Sequence, residues 1–240
     1  MNLSLKLFRY LWVVIFSLYS FSVEAKLFPK NFHSEYQLLQ KSNNLGRVFV
    51  DFNQKNNQYE IKAVTKAEGI LKLLGDREVV STGQLSIDGF SPQIFELKNK
   101  KKPKKNILAV FDSKDKKVKL TYKQETKNIG LKNKHFDVLT YLYQFNFESL
   151  SKKNYNFEVV DGKKSRIYLY NKVRREFIKT FAGSLEADVY EGEIKGKSNS
   201  THYLWILRKP YRIPLKIEIK TDIGVDIEQI LVKTNLLPIK

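Results

Sequence analysis

Hydrophobic and polar residues alternate with a period of two along most of the chain, and turn-forming residues separate the alternating runs. Tyr36, Leu38 and Leu39 open one run, Val48, Val50 and Phe52 alternate in the next, and Tyr59, Ile61 and Ala63 in a third. Successive side chains of a strand point to opposite faces, so this spacing predicts strands with one face buried. Ser42-Asn43-Asn44 and the stretch from Asn53 to Asn57 join them, which predicts an antiparallel meander. The pattern also predicts strands over 79–87, 93–97, 107–111, 118–122, 155–160, 165–170, 173–181, 185–190, 202–207, 214–221 and 225–232. Asp88-Gly89, Asp161-Gly162 and Gly224 mark turns, and Asp-Gly between alternating strands is a strong hairpin signal because both residues tolerate positive φ. Residues 67–75, AEGILKLLG, break the rhythm and predict a helical turn or bulge ended by Gly75. Lys123 to Lys134 reads as a polar loop.

One stretch has a different period. HFDVLTYLYQFNFESL, from His135 to Leu150, places Val138, Tyr141, Leu142 and Phe145 at i, i+3, i+4 and i+7. Phe136, Leu139, Tyr143 and Phe147 widen the apolar surface well past one stripe. This predicts a helix of several turns, with Asp137 placed to accept hydrogen bonds from its first free N–H groups. A helix apolar on nearly every side has to be wrapped, and strands are what remains to wrap it. The expected fold class is mainly β: one large antiparallel, strongly curved sheet, an open or half barrel, around one central helix. No internal repeat or long linker divides the chain, so residues 26–240 are expected to form a single β-rich domain.

The first residues read as an address. Lys6 and Arg9 precede an apolar run from Tyr10 to Phe21, and Val23-Glu24-Ala25 has the character of a peptidase site. Residues 1–25 are expected to be a signal peptide, cleaved after Ala25, that delivers the rest to the periplasm. The apolar run falls short of the roughly 20 residues a bilayer span requires. The net charge is +18, and of the 43 basic residues 35 are lysine and eight arginine. Arginine, whose planar fork reads phosphate and guanine bidentately, is the residue that nucleic-acid sites favour. A lysine excess points instead to anionic lipid, lipopolysaccharide or acidic glycan. The chain has no cysteine, which excludes disulfides, thiolate metal sites and a cysteine nucleophile.

Candidate chemistry is sparse. His33, His135 and His202 are the only histidines, and no second His or Glu stands four residues beyond His135, as a helical metal site requires. There is no Gly-x-Ser-x-Gly elbow, His-Glu-x-x-His or phosphate-binding glycine loop. No catalytic residue, metal or cofactor is therefore expected. Asp112, Asp137 and Asp161 are expected to be turn and cap residues, whereas a glycan-cleaving site would need two carboxylates facing one cleft. The run KNKKKPKK carries Lys98, Lys100, Lys101, Lys102, Lys104 and Lys105. With Arg208, Lys209 and Arg212 these form a candidate contact to an anionic surface. The plainer account is a solvated loop, and long side chains covering a sheet edge. The chain has 13 tyrosines and 16 phenylalanines. Val138, Tyr141, Leu142, Phe145 and Trp205 are candidates for lining a groove between sheet and helix. Such a groove would take an acyl chain, since each buried CH₂ contributes about 0.8 kcal/mol, but the same rings would equally fill a core.

Several short motifs occur in a telling order. Ser81-Thr82-Gly83, Asp88-Gly89-Phe90-Ser91-Pro92 with Phe95, and Phe111-Asp112 come first. Phe136-Asp137-Val138-Leu139-Thr140, Asp161-Gly162-Lys163 and Arg212-Ile213-Pro214-Leu215-Lys216-Ile217 before Gly224 follow. In this order the chain resembles a family of exported bacterial proteins catalogued as domain of unknown function 3108, over most of residues 36–233. It departs from that pattern in a lysine-rich insertion after Leu97 and fewer glycines in the first strands. The resemblance implies a periplasmic β-rich domain and no agreed activity. An incurved sheet around a helix is also similar in layout to the Lol-type lipoprotein carriers, an analogy of fold. The expected function is a non-enzymatic binding or carrier protein for an amphiphilic or anionic envelope component. An envelope lipid, lipoprotein or glycolipid, or an anionic membrane surface, is the partner class expected, and nucleic acid is not. The alternatives are an interaction partner in an envelope assembly, pairing through a sheet edge, and an enzyme acting on cell-wall glycan.

Overall fold

A computed structural model describes residues 28–69, 72, 75–222 and 226–238. The expected signal peptide, the apolar residues Ile70, Leu71, Leu73 and Leu74, and the turn residue Gly224 lie outside the described residues. The strands are β1 (Asn31–Gln40), β2 (Asn43–Lys55), β3 (Gln58–Ala67), β4 (Arg77–Ser86), β5 (Gly89–Asn99), β6 (Ile107–Asp112), β7 (Lys117–Tyr122), β8 (Glu125–Gly130) and β9 (His135–Asp137). After the helix α1 (Thr140–Gln144) come β10 (Asn154–Val160), β11 (Ser165–Thr180), β12 (Gly183–Ile194), β13 (Lys197–Leu207), β14 (Pro214–Thr221) and β15 (Ile227–Thr234).

All fifteen strands join one sheet, in the order β8-β7-β6-β5-β4-β3-β2-β1-β15-β14-β13-β12-β11-β10-β9. The first strand pairs with the last, Leu38 opposite Gln229, so both ends of the described chain lie mid-sheet. The two edge strands, β8 and β9, are consecutive in sequence. A sheet whose edges are joined by so short a link has to roll until they approach each other, in keeping with the twist of any wide sheet. It does not close. Instead β9, paired in parallel with β10, tucks against the opposite end of the sheet. The Ser81 hydroxyl of β4 donates to Asp137 at 2.6 Å, and His135 stacks on Phe111 of β6 at 5.3 Å.

The alternating pattern works as the sequence indicates. Phe32 and Tyr36 of β1, Val50 and Phe52 of β2, and Tyr59 and Ile61 of β3 are buried on the concave side. Cross-strand register aligns them, Phe52 opposite both Phe32 and Ile61. Each such side chain contributes about 1.5–3 kcal/mol by leaving water. A smaller core, Phe95, Ile107, Ala109, Phe111, Val118 and Leu120, lies on the inner face of β5, β6 and β7 over Val160 of β10. Among the described residues no helix is long and apolar enough to cross a membrane.

Two local expectations are corrected. The stretch Lys123 to Lys134 contains β8, whose side chains are nearly all exposed. An edge strand with both faces in water has no hydrophobic alternation, and its backbone pairing with β7 defines it. The predicted helix of several turns is shorter than its pattern. Residues 135–137 pair as strand β9, α1 has five residues, and a 3-10 turn, Phe145–Phe147, completes it. Strand pairing satisfies the backbone before α1, and Arg212 takes the carbonyls of Phe145 and Glu148 after it, so a longer helical ladder is not needed.

Candidate functional site: the plug α1 and the cationic surfaces

Side-chain hydrogen bonds hold α1 at both ends. Asp137 is wholly buried, and its Oδ1 accepts the backbone N–H groups of Leu139 at 2.8 Å and Thr140 at 3.0 Å. The Thr140 hydroxyl in turn accepts the Asp137 N–H at 3.0 Å, a reciprocal cap. Asp137 Oδ2 accepts from Ser81, which lies 3.1 Å from the Tyr59 hydroxyl. Burial pushes the Asp137 carboxyl above its ordinary value, and these bonds only partly offset that. At the other end the Arg212 guanidinium donates to Phe145 O and to the Tyr190 hydroxyl, both at 2.7 Å. Gln144 ties α1 to the β4–β5 turn, accepting from Phe90 N at 3.1 Å and donating to Asp88 O at 2.9 Å. Gly89 in that turn has φ +100°, and a Cβ there would lie 2.2 Å from Gln144 Oε1.

Aromatic rings wall α1 on two sides. Tyr141 meets Tyr168 at 5.4 Å and stacks on Tyr170 at 6.2 Å. Phe145 meets Tyr155 at 4.6 Å and Tyr190 at 4.9 Å. On the other side Tyr143 faces Phe32 at 5.5 Å, and Phe147 faces Phe90 at 5.6 Å. Burial raises the phenol pKa of Tyr141 and Tyr170, which share a hydrogen bond, and lifts Tyr168 to about 12.

The proposed groove residues therefore separate into three groups. Tyr141 and Phe145 are buried among rings and fill the interior. Val138 and Leu142, together with Leu139, are half-buried at the rim. Trp205 is displaced altogether. It lies opposite Val189 and Lys216, whereas its neighbour Leu204 lies opposite Tyr190, the residue that touches Phe145. Side chains alternate along a strand, so Trp205 projects from the face away from α1. There its indole N–H donates to Glu176, and Lys216 sits 4.7 Å above its ring.

The cationic candidates divide in the same way. Lys98, Lys100, Lys101, Lys102, Lys104, Lys105 and Lys209 are exposed. Arg212, at 5% exposure, is a correction: its guanidinium is spent on interior acceptors and is not offered to a surface. Arg208 is half-buried and belongs to an ion cluster that sequence reasoning missed. It meets Glu186 at 2.9 Å and Asp188 at 3.6 Å, and Lys172 meets Asp188 at 2.6 Å. The available signal was Asp188, set between the apolar Ala187 and Val189 and wholly buried in the structure.

The candidate acids serve their own turns and caps. Asp112 and Asp161 accept backbone N–H groups in their own turns, Asp112 from Asp115 and Asp161 from Lys163 and Lys164. His33 is bonded to Asp51 at 2.7 Å, and burial lowers the pKa of His135 against Phe111. Among the described residues no three His, Asp or Glu side chains are grouped to hold a metal ion.

The model of the family described as protein of unknown function (DUF3108) matches residues 35–231. Among curated proteins no match is found. The chain is similar in structure to a β-barrel-like protein of domain of unknown function DUF1849 from Brucella abortus. The TM-score is 0.59 at 13% identity, over 87% of this chain and 98% of that one. It is more distantly similar to a putative lipoprotein from Parabacteroides distasonis (TM-score 0.38, 11% identity, 86% and 96% of the two chains). A third is the Mycobacterium tuberculosis lipoprotein LppX (TM-score 0.31, 12% identity, 91% and 94%). The first shares the fold, and the other two are too distant to bear on it.

Proposed function

The chain belongs to the DUF3108 family, and from that premise we propose that it is a non-enzymatic binding or carrier protein for an amphiphilic component of the cell envelope. On this reading residues 1–25 are a cleaved signal peptide and the mature chain works in the periplasm. The observation that carries it is a rolled, unclosed sheet with an aromatic interior, stoppered by a five-residue helix beside which Val138, Leu139 and Leu142 lie half-buried at the rim. An acyl chain entering at that rim would displace α1 from its hydrogen bonds. Asp137 caps its start, Gln144 ties it to the β4–β5 turn and Arg212 holds the carbonyl of Phe145 after it. The candidate acids favour a binding role over a hydrolytic one, because Asp112, Asp137 and Asp161 each serve as turn or cap acceptors. The edge-pairing alternative is less favoured, since β8 carries Glu125 and Lys127 and almost no apolar side chain.

The test is mass analysis of what co-purifies with the protein exported in its own compartment and isolated without detergent. A near-stoichiometric lipid or glycolipid is expected, and Leu142→Asp at the half-buried rim should lower its retention with the far-ultraviolet circular dichroism unchanged. Protein that carries no amphiphile and binds no fluorescent acyl probe would overturn the proposal.

A further inference from the structure

The strand β6 is apolar on both faces. Ile107, Ala109 and Phe111 belong to the smaller core, while Leu108 and Val110 on the outer face are 40% and 41% exposed. Ile94 of β5, directly opposite Val110, is 45% exposed. An antiparallel sheet with one face in water normally carries polar residues there, so the fold does not account for this contiguous trio. Lysines surround it. Lys119 lies opposite Val110 on β7, Lys98 is the last but one residue of β5, and Lys104, Lys105 and Lys123 stand on the adjoining turns. Glu96, opposite Leu108, is paired with Lys98 and Glu78 with Lys62, each at 2.9 Å, and Asp112 and Asp115 at the far end of β6 share Lys117 at 4.0 and 2.5 Å.

The lysine-rich turn is built as a ledge. Asn99 is buried at 4% exposure, and its side-chain oxygen accepts the N–H groups of Lys101 at 3.1 Å and Lys102 at 2.8 Å. The Asn106 side-chain oxygen in turn accepts the Asn99 N–H at 2.8 Å. A groove of about 320 Å³ runs between this ledge and the β7–β8 turn, with Leu108 and Thr121 at its floor and Lys104 and Lys123 on its walls.

We propose that the outer face of β5, β6 and β7, with Ile94, Leu108 and Val110 framed by lysines, docks on a bilayer containing anionic phospholipid. Charge selects this occupant. A second copy of the chain would bring the same lysines against each other, whereas anionic headgroups complement them and the aliphatic trio reaches the acyl boundary. Lysines acting as point charges suit a fluid layer of headgroups, which presents no fixed bidentate geometry. The surface is independent of whether the interior takes an acyl chain.

The test is flotation of the exported protein with vesicles of phosphatidylcholine plus phosphatidylglycerol, against phosphatidylcholine alone. Binding is expected only to the anionic vesicles. One lysine near such a surface accounts for about fivefold in affinity, so the triple variant Lys104→Gln, Lys105→Gln and Lys123→Gln should lose about a hundredfold. Leu108→Ser with Val110→Ser should lose about tenfold with the fold intact by circular dichroism. The control Lys55→Gln, Lys153→Gln and Lys179→Gln, at exposed positions elsewhere, should lose under about fivefold. An equal loss in that control would show that net charge alone drives binding, and would overturn the docking surface. So would an unchanged affinity in either patch variant, or no binding to anionic vesicles at all.

Discussion

Asp137→Asn tests whether the buried carboxylate that starts α1 is a net cost or a net gain to the fold. In the wild type Oδ1 accepts two backbone N–H groups and Oδ2 accepts the Ser81 hydroxyl, with no exposure to solvent. Asparagine keeps the oxygen that caps α1 but turns an N–H₂ toward Ser81, which already lies within reach of the Tyr59 hydroxyl. That mismatch costs about 1–3 kcal/mol, and releasing a buried charge offsets part of it. Near pH 7 the two proteins should therefore differ by no more than about 2 kcal/mol. The pH dependence is the sharper readout. The folded pKa is raised, so between the ordinary carboxylate value and the raised one the native state binds more protons than the unfolded state. Wild type should thus gain stability relative to Asp137→Asn as the pH falls through that window, by up to about 1.4 kcal/mol per unit, and level off below about pH 3.9. Urea unfolding of both proteins across that range measures the difference directly, and uncoupled carboxylates cancel in it. A wild type that loses ground to the variant on acidification would mean that the hydrogen bonds outweigh burial, and would refute the reasoning.

Other perturbations probe the same interior. Arg212→Met orphans the carbonyl of Phe145 and the hydroxyl of Tyr190, at about 1–3 kcal/mol each, and part returns because a guanidinium no longer has to be kept from water. A net loss of about 2 kcal/mol in urea unfolding is expected, and a loss under about 0.5 kcal/mol would show that the guanidinium does not anchor α1. Gly192→Ala would place a Cβ 2.2 Å from the Tyr170 ring, which is stacked on Tyr141. It should cost about 1–3 kcal/mol and broaden the near-ultraviolet tyrosine signal, whereas an unchanged melting curve would mean the aromatic wall yields freely.

What the chain's own pattern determined is the strand framework. Alternation at Val48, Val50 and Phe52 or Tyr59, Ile61 and Ala63 needs only a buried face and an exposed one, and both are properties of consecutive residues. The hairpin at Asp161-Gly162, the cap at Asp137 and the curved sheet around a helix were legible for the same reason. Tertiary structure decided the rest. The β8 strand carries no apolar period because both its faces are wet, so only its ladder to β7 reveals it. The length of α1 depended on partners distant in sequence, β10 before it and Arg212 after it, which no local period encodes. The site followed the same division. Val138 and Leu142 at the rim and the exposed lysines were readable as apolar and charged positions. Whether Tyr141 and Phe145 lined a groove or filled the core depended on which rings the rolled sheet brought against them. Trp205 and Arg212 exchanged their expected places, one on the far face under Lys216 and the other inside against Tyr190. A strand's period of two says that neighbouring side chains face opposite ways, and only the closing of the sheet says which way is in.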